Sequence, residues 1–403
     1  MNSNNEILIS VMIPTRDRPT RLLHCLQTCA DSKFKNVEFV VINNNSSEET
    51  NKVIEKFNYD ERIKHIFFDV SENINGQFKR CLDFAKGQWI SIIGDDDGIL
   101  PSVFDEFSEL IYKIQPKISE YKAIKWPHAI YRWADFPGDE ANLIKIDKYS
   151  NRTNFSVYKN SNLFFNFEDN NLKKIYHGPQ IYHGLVSRSY ANSINSRFPE
   201  HTFFMSPDIS FAFQVAADNV QFLEFSKPVT MFGYSGSSTG QSVAAADNKE
   251  VRKKYYDENP FVIKEMSQVL GINLSETLDE PVVSEVMANY TIACIVADTR
   301  NLLRPSIVAY LTSEINNAKK LAVSLRLGMK ALLNKLLILN HIRADLSVFD
   351  SKINSKSLGG IYLSINELKN EKVLSLCIKP NQANVQNVYE AVHYVQSLSS
   401  IIH

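Results

Sequence analysis

The chain has 403 residues, and 44 Lys and Arg against 45 Asp and Glu leave a formal charge of −1. That balance speaks against a globally basic nucleic-acid binder, and 44% hydrophobic with 22% charged residues is the composition of a folded chain, not a disordered one. At about 150 residues per domain the length fits two or three domains. Five cysteines, odd in number and without a CxxC pair, argue against a disulfide scaffold or a zinc knuckle.

The first residues carry no basic segment ahead of an apolar core and soon reach Pro14 and Arg16, so no signal peptide is expected. No run approaches the roughly 18 apolar residues of a spanning helix, and a cytoplasmic location is the expectation. Apolar, β-rich runs at 7–13, 37–42, 63–68 and 89–93 predict four strands. The first gap opens Asp17-Arg18-Pro19-Thr20, a helix start, and then repeats Leu22, Leu23, Leu26 and Cys29 at helical spacing, with Cys25 and Cys29 on a buried face. Phe78, Leu82 and Ala85 share a helical face before the fourth strand. Strands alternating with helices predict a mainly parallel α/β sheet, with ligands in the crevice beyond its carboxyl ends.

Residues 100–240 are less regular and rich in aromatics, ending in the turn segment GYSGSSTGQS. From about 248 long helical stretches follow, which places a boundary near 245 between a first unit, 1–245, and a mainly helical C-terminal unit, 246–403. The final segments predict one or two short strands and a helix. Where the strand at 89–93 ends, the chain runs into Gly94-Asp95-Asp96-Asp97-Gly98. Three adjacent acids repel one another and suit a hard cation, Mg2+ or Mn2+, completed by substrate phosphates, although a solvated acidic turn has the same sequence.

Together these blocks resemble a family 2 glycosyltransferase of the GT-A type, of the kind that builds bacterial surface polysaccharides. ISVMIPTRDR is similar to the family's strand and Pro-Thr opening, VVINNNSSEET to its second strand and Asp-Asn-x-Ser turn, and ENINGQFKRCLDFAKGQWISIIGDDDGILP to its Asn-x-Gly helix and acidic turn. The order of the blocks covers roughly residues 7–240. The resemblance implies a nucleotide pocket of Pro14, Thr15, Arg16, Asn43, Asn73 and Arg80, with Lys79 or Arg80 neutralising diphosphate. Asn43 stands where the family usually has Asp, and Asp17 where Asn is common. The resemblance also implies Asp97 as the direct metal contact, Asp95 near metal and ribose, and Asp96 between them.

An inverting transferase needs a base for the acceptor hydroxyl. Asp208, after Ser206-Pro207 and before an apolar helical run, matches the family's base position, and an ordinary first-turn acid would look the same. His177 and His183 in the repeated Tyr-His-Gly, and Trp126, His128, Tyr131 and Trp133, either contact sugar or pack in the core. Residues 315–344 hold six cations and no acid, a basic amphipathic helix that suits either an anionic membrane surface or another subunit, so peripheral membrane contact and a homo-oligomer both stay open. The expected function is metal-dependent, inverting transfer of a sugar from a nucleotide-sugar donor, UDP-linked, to a hydroxyl of a bacterial surface glycan, free or lipid-linked. The alternatives are a sugar-nucleotide nucleotidyltransferase, disfavoured because PTRDRPTR has no glycine loop, and a non-catalytic glycan-binding protein.

Overall fold

A computed structural model describes residues 6–137, 140–163, 172–238, 249–271, 285–305, 356–358, 361–368, 371–378 and 385–398. The four expected strands form as β1 (Ile9–Thr15), β2 (Val37–Asn44), β3 (Ile63–Phe68) and β4 (Trp89–Ile92), all parallel, in the order β3-β2-β1-β4. Between them run α1 (Pro19–Ala30), α2 (Glu48–Glu55) and α3 (Ile74–Phe84). Pro19 at the first turn of α1 loses no helical hydrogen bond, and Leu22, Cys25, Leu26 and Cys29 form its buried stripe. The sheet is covered on both faces, which is why β1 and β2 read as continuous apolar runs. Val11, Ile13, Phe39 and Val41 join the core under α1, whereas Met12, Val40 and Ile42 join the core under α3. Each such fully buried side chain contributes about 2 kcal/mol.

After β4 the chain makes the short β5 (Gly98–Ile99) and α4 (Pro101–Ile118), and continues through β6 (Ala123–Lys125), β7 (Ala129–Arg132), β8 (Ile144–Ser150) and β9 (Phe155–Tyr158). It then forms β10 (Leu185–Ser187), α5 (Arg188–Arg197), α6 (Pro207–Asp218), β11 (Phe222–Phe225) and β12 (Thr230–Tyr234). Strands β10, β6, β11 and β9 extend the first sheet to eight strands, with β10 antiparallel to β4. A second sheet, in which β12 pairs with both β7 and β5, brings β12 against the acidic turn.

Residues after 248 are helical as expected in α7 (Lys249–Glu258), α8 (Phe261–Leu270) and α9 (Glu285–Thr299), which bury Val262, Met266, Ile292 and Val296 against Ile209 and Phe213 of α6. The strands β13 (Lys356–Leu358), β14 (Ile361–Leu368) and β15 (Glu371–Ile378) and the helix α10 (Val388–Leu398) match the strand-and-helix ending read from the sequence. Their position differs from that reading. β15 pairs antiparallel with β8, and Val388, Ala391, Val392 and Val395 of α10 lie in the same core as α1. Among the described residues, segments from both sides of position 245 thus share a sheet and a core. Residues 315–344, the basic segment, lie outside the described residues.

Candidate functional site

The acidic turn sits at the carboxyl end of β4, beside the end of β1, where the loops of the parallel strands converge. All three carboxylates are nearly buried, with side chains 3%, 7% and 2% exposed for Asp95, Asp96 and Asp97. Burying three adjacent acids is costly unless each is paired, and the partners divide them into different roles.

Asp97 is turned into the protein. Its Oδ2 accepts from the Gly94 N–H at 2.5 Å, the Tyr182 hydroxyl at 2.7 Å and His183 Nε2 at 2.8 Å, and its Oδ1 accepts from the Gly233 N–H at 2.6 Å. Burial alone would raise its pKa, but His183, Gly233 and Tyr182 outweigh that and hold the carboxyl below the ordinary range. His183 is held from both sides: Nε2 lies 2.8 Å from Asp97 Oδ2, and Nδ1 lies 2.8 Å from Thr230 Oγ1, which also accepts from Trp126 Nε1 at 2.8 Å. His183 also stacks on Phe232, with ring centroids 3.5 Å apart.

Asp95 accepts from Thr15 Oγ1 at 2.6 Å on Oδ2 and from Arg18 Nη1 at 3.1 Å on Oδ1. Asp96 accepts from the Ser235 and Ser238 hydroxyls at 2.7 and 2.5 Å, both on Oδ2, while its backbone carbonyl accepts from Trp133 Nε1 at 2.9 Å. Burial first, then repulsion from Asp97, pushes the Asp96 carboxyl up to about 6. Two glycines let these layers meet. A Cβ on Gly233 would lie 1.7 Å from the Asp96 carbonyl oxygen, and one on Gly94 would lie 2.9 Å from Asp96 Oδ1.

Hard carboxylate donors suit Mg2+ or Mn2+, yet Asp97, expected as the direct metal contact, has both oxygens committed to protein donors. Asp95 and Asp96 fit better: Arg18 alone engages Asp95 Oδ1, and the contacts of Ser235, Ser238 and Arg18 with the Asp96 carboxylate all fall on Oδ2. Two carboxylates completed by substrate phosphates are a usual setting for Mg2+. No group of three or more His, Cys, Asp or Glu side chains forms a metal cage among the described residues.

The other residues expected of a nucleotide pocket are largely engaged with protein partners in the loops after β1, β2 and β3. Pro14 is half-buried, and Thr15 is fixed on Asp95. Arg16 pairs with both oxygens of Glu258 at 3.2 Å, at the end of α7. Asn43 is fully buried, accepting from the Ser46 N–H and donating to Asn51, so its side chain is occupied within the β2 turn. Asn73 caps α3 by accepting from the Gly76 N–H at 2.9 Å and donates to the Glu258 carbonyl at 3.4 Å. Arg80 stacks over Phe68 and donates to Asn44 Oδ1 and the Val70 carbonyl, which shapes the loop after β3; Lys79 is exposed. One turn from Asn73, Gln77 is 5% exposed with both amide atoms unpaired, an arrangement that leaves hydrogen-bonding capacity unused beside the crevice.

Asp208 occupies the first turn of α6 behind Ser206, whose hydroxyl donates to it at 3.2 Å. It lies near enough to Tyr182 to add to the effects of burial, Asp97 and Asp96 that push the phenol well above its ordinary pKa. Backbone strain gathers here as well: Asp17, Asn45, His183 and Met205 all have positive φ, and they flank the crevice loops or the start of α6. α7 ties the rim together, since Tyr255 donates to the Met205 carbonyl while Glu258 holds Arg16 and Asn73.

Of the aromatics offered as sugar contacts, Trp126, Tyr131 and Trp133 are core residues, 4%, 0% and 2% exposed, and cannot stack on a ligand as they stand. His128 and His177 stack on one another, with centroids 5.8 Å apart. The sequence reading did not single out Tyr182, Gly233, Arg18 or Glu258 for the site. The serines at 235 and 238 lie in the turn segment GYSGSSTGQS, and no spacing links 233–238 to Asp96 across such a distance along the chain.

The profile described as glycosyl transferase family 2 matches residues 10–191. A glycosyltransferase of Campylobacter jejuni, GalNAc(5)-diNAcBac-PP-undecaprenol beta-1,3-glucosyltransferase, is 31% identical over 94 residues, 23% of this chain and 30% of that one. Glycosyltransferase GlyA of Streptococcus pneumoniae is 26% identical over 159 residues, 39% of this chain and 21% of that one. The chain thus spans a third or less of the length of these two relatives. Among solved structures, S. aureus TarS 1-349 in complex with UDP aligns over 80% of this chain and 95% of its own, at 11% identity and a TM-score of 0.44. The segment that matches glycosyl transferase family 2 carries β1 to β4, the acidic turn and His183.

Proposed function

We propose that the protein transfers a sugar from a nucleotide-sugar donor, UDP-linked, to a hydroxyl of a bacterial surface glycan, with inversion at the sugar carbon. The observation that carries this reading is the buried acidic turn at the carboxyl end of β4, beside the end of β1, within the segment that matches the family. The glycan acceptor is supported by the C. jejuni relative, whose name describes glucosyl transfer to an undecaprenol-linked glycan.

In this reading the nucleotide lies across the ends of β1 and β2, against Pro14, Thr15, Asn43 and Asn73, with Arg16 and Arg80 at the phosphate side. Asp95 and Asp96 would hold Mg2+ or Mn2+ together with the diphosphate, where the ion supplies Lewis-acid stabilisation of the leaving group. Asp97, held by four protein hydrogen bonds, fixes the turn that carries its two neighbours. Asp208 accepts the proton of the acceptor hydroxyl on its carboxylate as the hydroxyl oxygen attacks the sugar carbon and the nucleoside diphosphate departs. Its place at the start of α6, beside Tyr182, supports that role.

The test screens UDP-sugars with purified protein and a glycan acceptor. Asp208→Asn is expected to retain donor binding while transfer falls by about 10²-fold or more, the usual contribution of a positioned base. Full transfer in that variant would remove Asp208 from the mechanism.

A further inference from the structure

Arg18 is the one arginine or lysine in ion-pair contact with the acidic turn among the described residues. It caps α1 directly after the end of β1, and its side chain is 24% exposed. Nη1 stands 3.1 Å from Asp95 Oδ1 and 3.9 Å from Asp96 Oδ2, and Nη2 donates to the carbonyl of Ser237. Ser237 lies between Ser235 and Ser238, the two hydroxyls that hold Asp96 Oδ2. One guanidinium therefore neutralises two carboxylates and ties the strap 235–238 across them. It also covers Asp95 Oδ1, which has no other contact. A divalent ion bound through Asp95 and Asp96 needs oxygens at about 2.0–2.2 Å, and a second cation 3.1 Å from one of those oxygens would repel it at close range.

We infer that Arg18 and a divalent cation are alternative occupants of the Asp95–Asp96 pair. In the ligand-free chain Arg18 is the resident counter-cation, and metal binding displaces the guanidinium together with its hold on Ser237. The displaced side chain stays anchored at the start of α1 and becomes free to pair with the donor's diphosphate, whose negative charge suits a guanidinium. This inference rests on the reading of the acidic turn as the donor site.

The experiment titrates Mn2+ into the full chain at low salt without nucleotide, following free Mn2+ by electron paramagnetic resonance, for wild type, Arg18→Ala and Arg18→Lys. Arg18→Ala is expected to bind Mn2+ at least tenfold more tightly than wild type. Arg18→Lys, whose compact ammonium makes no fork across two carboxylates and a carbonyl, is expected to fall between them. Mn2+ affinity that is unchanged, weaker or unmeasurable in Arg18→Ala overturns the inference. If Arg18→Ala does not fold, as judged by circular dichroism, Arg18→Lys decides, and affinity equal to or below wild type overturns it. Because no donor is present, the expected order of Mn2+ affinities in a protein that transfers no sugar would sustain this inference and contradict the proposed function.

Discussion

Asp95, Asp96 and Asp97 are indistinguishable as sequence, yet the fold gives them opposite tasks. The residue the family pattern marks for the metal, Asp97, accepts four protein hydrogen bonds on its two oxygens, while Asp95 pairs with Thr15 and Arg18, and Asp96 with Ser235 and Ser238. Removing a buried, hydrogen-bonded carboxylate orphans every donor around it, a cost of about 3–5 kcal/mol. Asp97→Ala is accordingly expected to lose about that much in urea unfolding, whereas Asp95→Ala removes only the partner of Thr15 and one of the contacts of Arg18, which keeps the Ser237 carbonyl, and should lose less. Equal losses in the two variants would deny Asp97 its anchoring role. The sequence carried the acids themselves, because three carboxylates at a strand end are unusual. It could not carry their division of labour, which depends on Gly233 and His183, far along the chain. For the same reason Trp126 and Trp133 read equally well as sugar platforms and as core, and only burial separates the two.

At the level of elements, β1, β2 and β4 were legible because a sheet covered on both faces needs continuous apolar runs, whereas β3, at the sheet edge, is partly exposed and shows a mixed run. The start of α6 was legible through Pro207 and Asp208. Its far end was not, because it is secured by residues distant in sequence: Asp218 receives Arg197 at 2.8 Å, the Tyr190 hydroxyl at 2.9 Å and Arg300, joining α5 and α6 to the residue that follows α9. Burial would raise the Asp218 pKa, but the two arginines and the tyrosine outweigh it and hold the carboxyl below its ordinary value of 3.8. A depressed folded-state pKa means that the unfolded chain binds the extra proton, so this stabilisation is complete above about pH 4 to 5 and is lost as pH falls through the lowered value. Asp218→Asn should cost roughly 3 kcal/mol at pH 7, and its stability should decline less than that of wild type as pH drops below about 4. Thermal melts between neutral pH and pH 3 check both, and parallel curves for the two proteins would show that Asp218 makes no such contribution.

For the whole molecule, a change of composition near residue 245 suggested two bodies, whereas the chain returns to its starting point. β15 completes a sheet with β8, α10 packs on α1, and His393 pairs with Asp31 at 2.9 Å across 362 residues. Composition registers local helical character and is blind to such return contacts, since a strand looks the same whichever sheet accepts it. A fragment ending at residue 245 would expose the β8 edge, the α1 face that α10 covers and the α6 face under α9. It is expected to aggregate or to unfold without a cooperative transition, and a sharp melt matching that of the full chain would restore the two-domain division. No helix among the described residues is long and apolar enough to cross a membrane. The central claim is that the acidic turn receives the donor, and a crystal structure of the full chain soaked with a UDP-sugar and Mn2+ tests it most directly. The account predicts diphosphate and metal on Asp95 and Asp96, the nucleoside along Pro14 and Thr15, and Asp97 still bound to His183. A donor seated away from this turn, or a metal ligated by Asp97 with His183 displaced, would contradict it.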